Sequence, residues 1–435
     1  MGALSFSNVK FSGASRLLGF ISSLPPCLSY ILVTFLLYRF LFCASLFQQG
    51  THVLVSPAIF DSGRVKLASS ETMSCDYWEG KWVPDAKGPL YNDSCSSIKR
   101  GRNCLSHGRP DSDYLYWRWK PNSCSIPHFE PENFLNFLAN KHLAFVGDSL
   151  ARNQIESLIC MLATGSTPNL VFKRGDDDEF KRWSFSSHNL TVSLYWSPFL
   201  VKGVEKSKSD PNNNLYLDYV DESWASEINS FDVLVLSAGQ WYLIPGVYYA
   251  GYSRVVGCHI CSGANHTEVG FYDAFRKSVR TSLTAIKSRA TSKRRLQVFV
   301  TTFPPAHFEG DWNNFAACPK TRPFQEGEKD LDSVHSTMRQ NVIEEVKSIK
   351  LGRRKRNLEF DALDVTKLSL MRPDAHPGPY LVPFPFRDGV KDHVQNDCVH
   401  WCLPGAIDTW NEILLELISN RRSYKGGETS FIGLP

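Results

Sequence analysis

The chain has 435 residues, of which 43% are hydrophobic and 13% aromatic, enough apolar side chain for a large core; this excludes a disordered or fibrous protein. Its 48 basic and 44 acidic residues leave a formal net charge of +4, which is too mild to call for nucleic acid as a partner.

The first segment is a membrane-targeting one. Leu17 to Phe47 is almost wholly apolar, Lys10 and Arg16 precede it, and no acidic residue comes before Asp61. Its best core, Cys27 to Tyr38, is short for a span. Reaching about 20 residues takes in Arg39, at a cost of roughly 2.5–3.5 kcal/mol if central, unless that side chain snorkels to the interface. A cleaved signal peptide would show a small-residue exit, and the run around Cys43 to Ser45 offers only a weak one. The expectation is therefore an uncleaved anchor at 27–47, a cytosolic tail at 1–26 and a luminal stem at 48–74. The cysteines agree with an oxidising lumen, because ten of the 12 lie beyond the anchor: Cys75, Cys95, Cys104, Cys124, Cys160, Cys258, Cys261, Cys318, Cys398 and Cys402. Sequons at Asn92, Asn189 and Asn265 are compatible with glycosylation there. "CHIC" at 258–261 and "CVHWC" at 398–402 mix Cys with His, but paired C-x-x-C sites at zinc spacing are missing, so bridges are favoured and no metal site is expected.

Residues 75–126 hold four cysteines, much Pro, Gly and Trp, and little periodic apolar pattern, as expected of a loop-rich, disulfide-stapled module. Trp117 and Trp119 within it read as structural. From 127 to 422 the pattern alternates. Strands are predicted at 142–148, 191–201, 231–239, 296–303 and 358–365, and helices at 149–162, 270–290, 327–350 and 405–420, with a tail at 423–435. Such alternation predicts an α/β fold, a mostly parallel sheet with helices on both faces. "DDDE" at 176–179 lacks the ligand spacing of a calcium loop and reads as exposed; "GRRKR" at 352–356 reads as a solvated loop or as a processing-protease site.

The chemistry concentrates at "AFVGDSLARNQ", where the first strand ends and a helix begins. Gly147, Asp148 and Ser149 are turn and capping residues, yet Ser149 also falls at the carboxyl edge of a sheet, where open α/β folds bind ligands. A helix N-terminus offers free N–H donors to an oxyanion forming beside the serine. A hydroxyl needs a base, and "NDCVHWC" supplies Asp397 and His400 three residues apart, a spacing at which the carboxylate can orient the imidazole. Trp241, Tyr242, Tyr248, Tyr249 and Trp312 follow strand ends on the same side; each is read first as packing and second as a sugar platform.

These segments, with "CDYWEGKWV", "GRPD" and "YWRWKP" upstream, resemble the plant trichome-birefringence-like proteins, Golgi polysaccharide O-acetyltransferases with an SGNH/GDSL-esterase-like domain. The resemblance covers about 75–422. It implies that Ser149 is the nucleophile, His400 the general base and Asp397 its partner. It also implies bridges pairing Cys75 with Cys124, Cys95 with Cys160, Cys104 with Cys402, Cys318 with Cys398, and Cys258 with Cys261. One departure stands out. Where many members carry Asn-Thr-Gly-His-Trp-Trp, this chain has Ser237-Ala238-Gly239-Gln240-Trp241-Tyr242. The Asn corresponding to Ser237 donates to the oxyanion in SGNH esterases, and losing such a donor costs about 2.7–4 kcal/mol. Gly147, Arg152, Asn153, Ser237, Gly239, Gln240 and Trp241 are the candidates for oxyanion or substrate contacts. The implied function is transfer of an acetyl group to a cell-wall hemicellulose, xyloglucan favoured over xylan, by a type II Golgi membrane protein. No cofactor is expected to stay bound; the donor is acetyl-CoA or an acetylated intermediate, and donor-supplying Golgi proteins are possible partners. An acetylesterase with the same triad and a non-catalytic polysaccharide-binding protein are the alternatives.

Overall fold

The computed structural model describes residues 75–426 apart from 176–178, 262–264, 292–293, 315–316, 353–356 and 390–392. The anchor, the stem, most of the basic run, the three aspartates at 176–178 and the end of the C-terminal tail lie outside the described residues. No helix among the described residues is long and apolar enough to cross a membrane.

The cysteine-rich segment forms one antiparallel pair, β1 (Gly80–Pro84) and β2 (Trp117–Pro121). Trp82 and Trp119 face each other across it, edge to face at 5.8 Å, and both indole N–H groups donate to backbone carbonyls, of Leu368 and Tyr77. Trp119 is thus buried structure. After α1 (Pro131–Phe137), opened by a proline whose missing N–H costs nothing at a first turn, comes β3 (His142–Gly147), then α2 (Ser149–Ala163). The antiparallel strands β4 (Asn169–Arg174), β5 (Phe180–Phe185) and β6 (Leu190–Trp196) follow. A second sheet collects β7 (Val201–Val204) and β8 (Asn213–Val220). The chain then passes through the short α3 (Glu222–Ala225) to β9 (Val233–Ser237), and β10 (Gly246–Ala250) and β11 (Arg254–His259) complete that second sheet. The last elements are α4 (Tyr272–Arg289), β12 (Leu296–Thr301), α5 (Ser333–Leu351), β13 (Leu358–Leu363), α6 (Thr366–Leu370) and α7 (Asp408–Gly426).

The central sheet runs β13-β12-β9-β3-β6-β5-β4, parallel from β13 to β6 and antiparallel beyond. It is the α/β architecture expected. The expected strand at 191–201 divides at Trp196, the remainder entering the second sheet as β7. In β3, Leu143 and Phe145 face a core shared with α2, α7 and the cysteine-rich segment, while Ala144 and Val146 face one shared with α4 and α5. Burial on both faces explains why "LAFV" shows no alternation. From β3 the chain goes first to β6 on one side, then to β9 on the other. The carboxyl ends of β3 and β9 therefore flank the point where strand order reverses, where open sheets leave a crevice. Bridges join Cys75–Cys124, Cys95–Cys160, Cys104–Cys402, Cys258–Cys261 and Cys318–Cys398.

One strain sits at the start of α7. Glu412, one turn after Asp408, is raised to about 7 by burial first, with the charges of Asp408 and Asp85 adding. Burial likewise raises Asp408 to about 6, against hydrogen bonds from Ser157, Gly405 and Tyr91. A carboxyl whose folded pKa lies above its unfolded one stabilises below the unfolded value, and that stabilisation is lost as pH rises through the folded value. For Glu412 the window runs from 4.5 to about 7. Glu412→Gln should therefore remove on the order of 2 kcal/mol of the stability lost across that window. Chemical denaturation at pH 5 and pH 8 checks this, and an unchanged difference would refute it.

Candidate active site

Ser149 is the first residue of α2, two residues beyond the end of β3. The approach is tight. A Cβ on Gly147, whose φ is +154°, would meet the Ser237 carbonyl oxygen at 1.7 Å, so only glycine lets β3 and β9 close up there. Asp148 caps the helix through Leu150 N–H at 2.9 Å, and its other oxygen accepts Gly239 N–H at 3.0 Å and Gln240 N–H at 3.2 Å. The Asp148 amide in turn donates to the Ser237 carbonyl. Asp148 thus ties the turn that carries Ser149 to the end of β9, a role that a turn reading of Gly-Asp-Ser does not suggest. Burial raises its pKa against those backbone bonds.

On the other side, Asp397 Oδ2 lies 2.7 Å from His400 Nδ1, and Asp397 Oδ1 accepts the N–H groups of Val399 and His400. Burial alone would raise the Asp397 carboxyl; the His400 imidazole and these N–H donors outweigh it and hold it far below the usual carboxylate range. The pair is therefore a carboxylate against an imidazole N–H, which leaves Nε2 as the basic nitrogen. That atom is buried and has no hydrogen-bond partner among the described residues.

The loop from 397 to 403 is held at nearly every backbone group. Asp397 and Gly378 exchange N–H···O bonds, Cys398 O accepts His307 N–H, Cys402 N–H donates to Ala375 O, and Leu403 N–H to Arg102 O. Asn153, one turn along α2 from Ser149, grips Trp401 with both ends of its amide: Oδ1 accepts Trp401 N–H at 2.7 Å and Nδ2 donates to its carbonyl at 3.2 Å. Arg102 donates to Ser149 O at 3.0 Å and pairs with Glu156 at 2.7 Å. The cysteine-rich segment thus touches both halves of the site, through Arg102 and through the Cys104–Cys402 bridge.

The other candidates divide. The amide of Asn153 and the backbone N–H groups of Gly239 and Gln240 are engaged within the protein, and the Gln240 side chain donates to Pro304 O. The Arg152 guanidinium lies 4.7 Å over the Trp196 ring, which meets Trp241 edge to face at 5.6 Å. Tyr242 and Tyr248 are buried, Tyr249 stacks on Tyr216, and Trp312 is exposed, away from any ring-stacking partner given by the described residues. Asn92, Asn189 and Asn265 are all exposed. Sequence reading missed Arg102, His307 and His376; each stands alone in an irregular segment without periodic pattern.

The structure therefore holds a serine where the strand order reverses and, in the loop before α7, a histidine whose Nδ1 is held by a carboxylate. Residues 126–417 match the GDSL/SGNH-like acyl-esterase family found in Pmr5 and Cas1p, and residues 73–125 match the PMR5 N-terminal domain. The chain belongs to that family. It is 56% identical over 400 residues to xyloglucan O-acetyltransferase 1 of Populus trichocarpa, covering 91% of this chain and 93% of that protein. It is 53% identical over 346 residues to xyloglucan O-acetyltransferase 1 of Arabidopsis thaliana, covering 79% and 80%. Protein trichome birefringence-like 26 of the same plant is 40% identical over 413 residues, covering 92% and 90%.

Proposed function

We propose that the chain is a xyloglucan O-acetyltransferase working by double displacement. Ser149 Oγ attacks the acetyl carbonyl of the donor while His400 Nε2 takes its proton, and the departing group receives that proton as the acetyl–Ser149 ester forms. A sugar hydroxyl then attacks the ester, its proton passes to His400, and Ser149 regains it on release. Asp397 stabilises the imidazolium in both halves. With Leu150 N–H taken by Asp148, the Ser149 backbone N–H at the start of α2 is the donor left for the developing oxyanion. The observation that carries this reading is the half-buried Asp397–His400 pair, whose Nε2 has no hydrogen-bond partner among the described residues. The names of the relatives support xyloglucan as acceptor. The apolar N-terminal sequence and the five bridges support a Golgi-lumen enzyme held by a single N-terminal anchor. No resident cofactor enters the mechanism, and acetyl-CoA or an acetylated intermediate serves as donor.

The test is intact-mass analysis of the full-length protein with acetyl-CoA and with p-nitrophenyl acetate, followed by xyloglucan or xylan oligosaccharides. One acetyl group should appear on wild type, not on Ser149→Ala, and should pass to xyloglucan. Release only to water would make it an esterase. Absence of any covalent acetyl would overturn the mechanism.

A further inference from the structure

Behind the catalytic loop, two imidazoles form a closed chain between backbone carbonyls. His307 Nε2 lies 2.9 Å from Leu370 O, His307 Nδ1 lies 2.7 Å from His376 Nε2, and His376 Nδ1 lies 2.6 Å from the carbonyl oxygen of His400 itself. His376 stacks on Trp401 at 4.2 Å, and the His307 amide holds Cys398 O. The pair thus reaches the general base through its own backbone.

Proton counting makes the arrangement informative. Both ends of the chain are carbonyls, which only accept, so each end requires an N–H, and the central N···N contact requires a third. Two neutral imidazoles carry two N–H protons, one too few. We infer that His307 and His376 are positioning residues for His400, and that they hold its carbonyl fully only as a three-proton, singly cationic pair. When that proton leaves for solvent, one of the three contacts meets lone pair to lone pair and opens, and the loop that carries His400 loosens.

The surroundings set the balance. Around His307, burial is the main force lowering its pKa, to about 4; the Leu370 carbonyl and Asp374 oppose this, and His335 and Lys329 add to it. His376 is lowered by burial, then by His307, with Arg109 adding, against the His400 carbonyl and Asp397. Burial, with the charge of His307 adding at His376, thus holds both imidazoles below their ordinary range, so the third proton is lost on the acid side of that range.

This inference rests on the acyl-transfer reading above. The experiment follows burst acetylation of full-length protein by p-nitrophenyl acetate across pH, for wild type, His307→Phe, His376→Phe and His376→Gln. In wild type the rate constant should carry a limb that falls, on the acid side of neutrality, as the pair loses its third proton. His307→Phe leaves a single imidazole whose one N–H can go to His400 O, so the falling limb should vanish. His376→Phe keeps the ring on Trp401 and removes the donor; its rate should drop roughly 10–100-fold with KM little changed, as for other partners that orient a reacting group. The amide of His376→Gln should restore part of it. If the variants do not fold, histidine-selective 15N spectra of wild type still decide, since three N–H protons on the pair are expected on the acid side and two on the alkaline side. Two protons throughout, or a falling limb unchanged in His307→Phe, overturns the inference. No acetylation of wild type at all would instead strike the parent mechanism.

Discussion

Ser149→Ala should lower acetyl transfer by roughly four orders of magnitude, and the double variant Ser149→Ala/His400→Ala should be scarcely worse. In the proposed mechanism the two side chains share one proton transfer, so without the Ser149 hydroxyl His400 has no proton to take. Asp397→Asn should lose nearly as much, because an amide cannot stabilise the imidazolium and can turn the wrong tautomer toward Ser149. Folding should survive in Ser149→Ala, whose deleted hydroxyl sits at the mouth of a helix rather than in the core. Initial rates with xyloglucan oligosaccharides, beside circular dichroism, measure both. A double variant that falls much further than either single one would show that Ser149 and His400 act separately.

The second large effect is expected at Asn153, which the sequence offers as a candidate oxyanion or substrate contact and whose amide the structure engages with Trp401. Its amide is fully buried and grips both backbone groups of Trp401. Asn153→Ala leaves a buried N–H and a buried C=O unsatisfied, at about 1–3 kcal/mol each. It also frees the residue next to His400. Gln154 provides the comparison, being equally buried on the same helix but donating to Asn411 in α7. Asn153→Ala should lower kcat roughly 100-fold, on the scale by which small misplacements of a reacting group act. Gln154→Ala should lower the melting temperature with kcat nearly intact. Equal kcat losses in the two would mean that Asn153 matters only for stability.

What could be read from the chain beforehand follows from which forces act locally. β3, β9 and β12 are buried on both faces, and apolar runs without polar alternation announce them, broken in β12 by Gln297 alone before its terminal threonine. β4 is exposed at all six positions of "NLVFKR", so no pattern marks it, and pairing with β5 alone makes it a strand. The turn at Ser197–Leu200 was hidden inside an apolar stretch, because Phe199 and Leu200 are buried in the turn itself. Asp397 and His400 were legible because they are neighbours in sequence as well as in space. Asp148 with Gly239, Asn153 with Trp401 and His376 with His400 are not neighbours in sequence, and no spacing rule reaches across such gaps. The bridge pattern was available only through resemblance, since ten cysteines allow far too many pairings for spacing to choose among them.

The Cys104–Cys402 bridge joins residues 298 apart. During synthesis Cys104 emerges among the first sulfurs of the cysteine-rich segment, and its partner comes almost last, just ahead of α7. Until then Cys104 cannot form its native bridge, while Cys95 and Cys124, its nearest neighbours in the chain, are present as competitors for it. Cys95 too must wait, for Cys160 at the far end of α2. The central sheet imposes the same schedule, because β3 cannot gain its flank until β9 has been made. Assembly of the proposed catalytic centre is therefore a late event of synthesis: a nascent polypeptide stopped short of residue 397 holds Ser149 but neither the Asp397–His400 pair nor the bridge at Cys402.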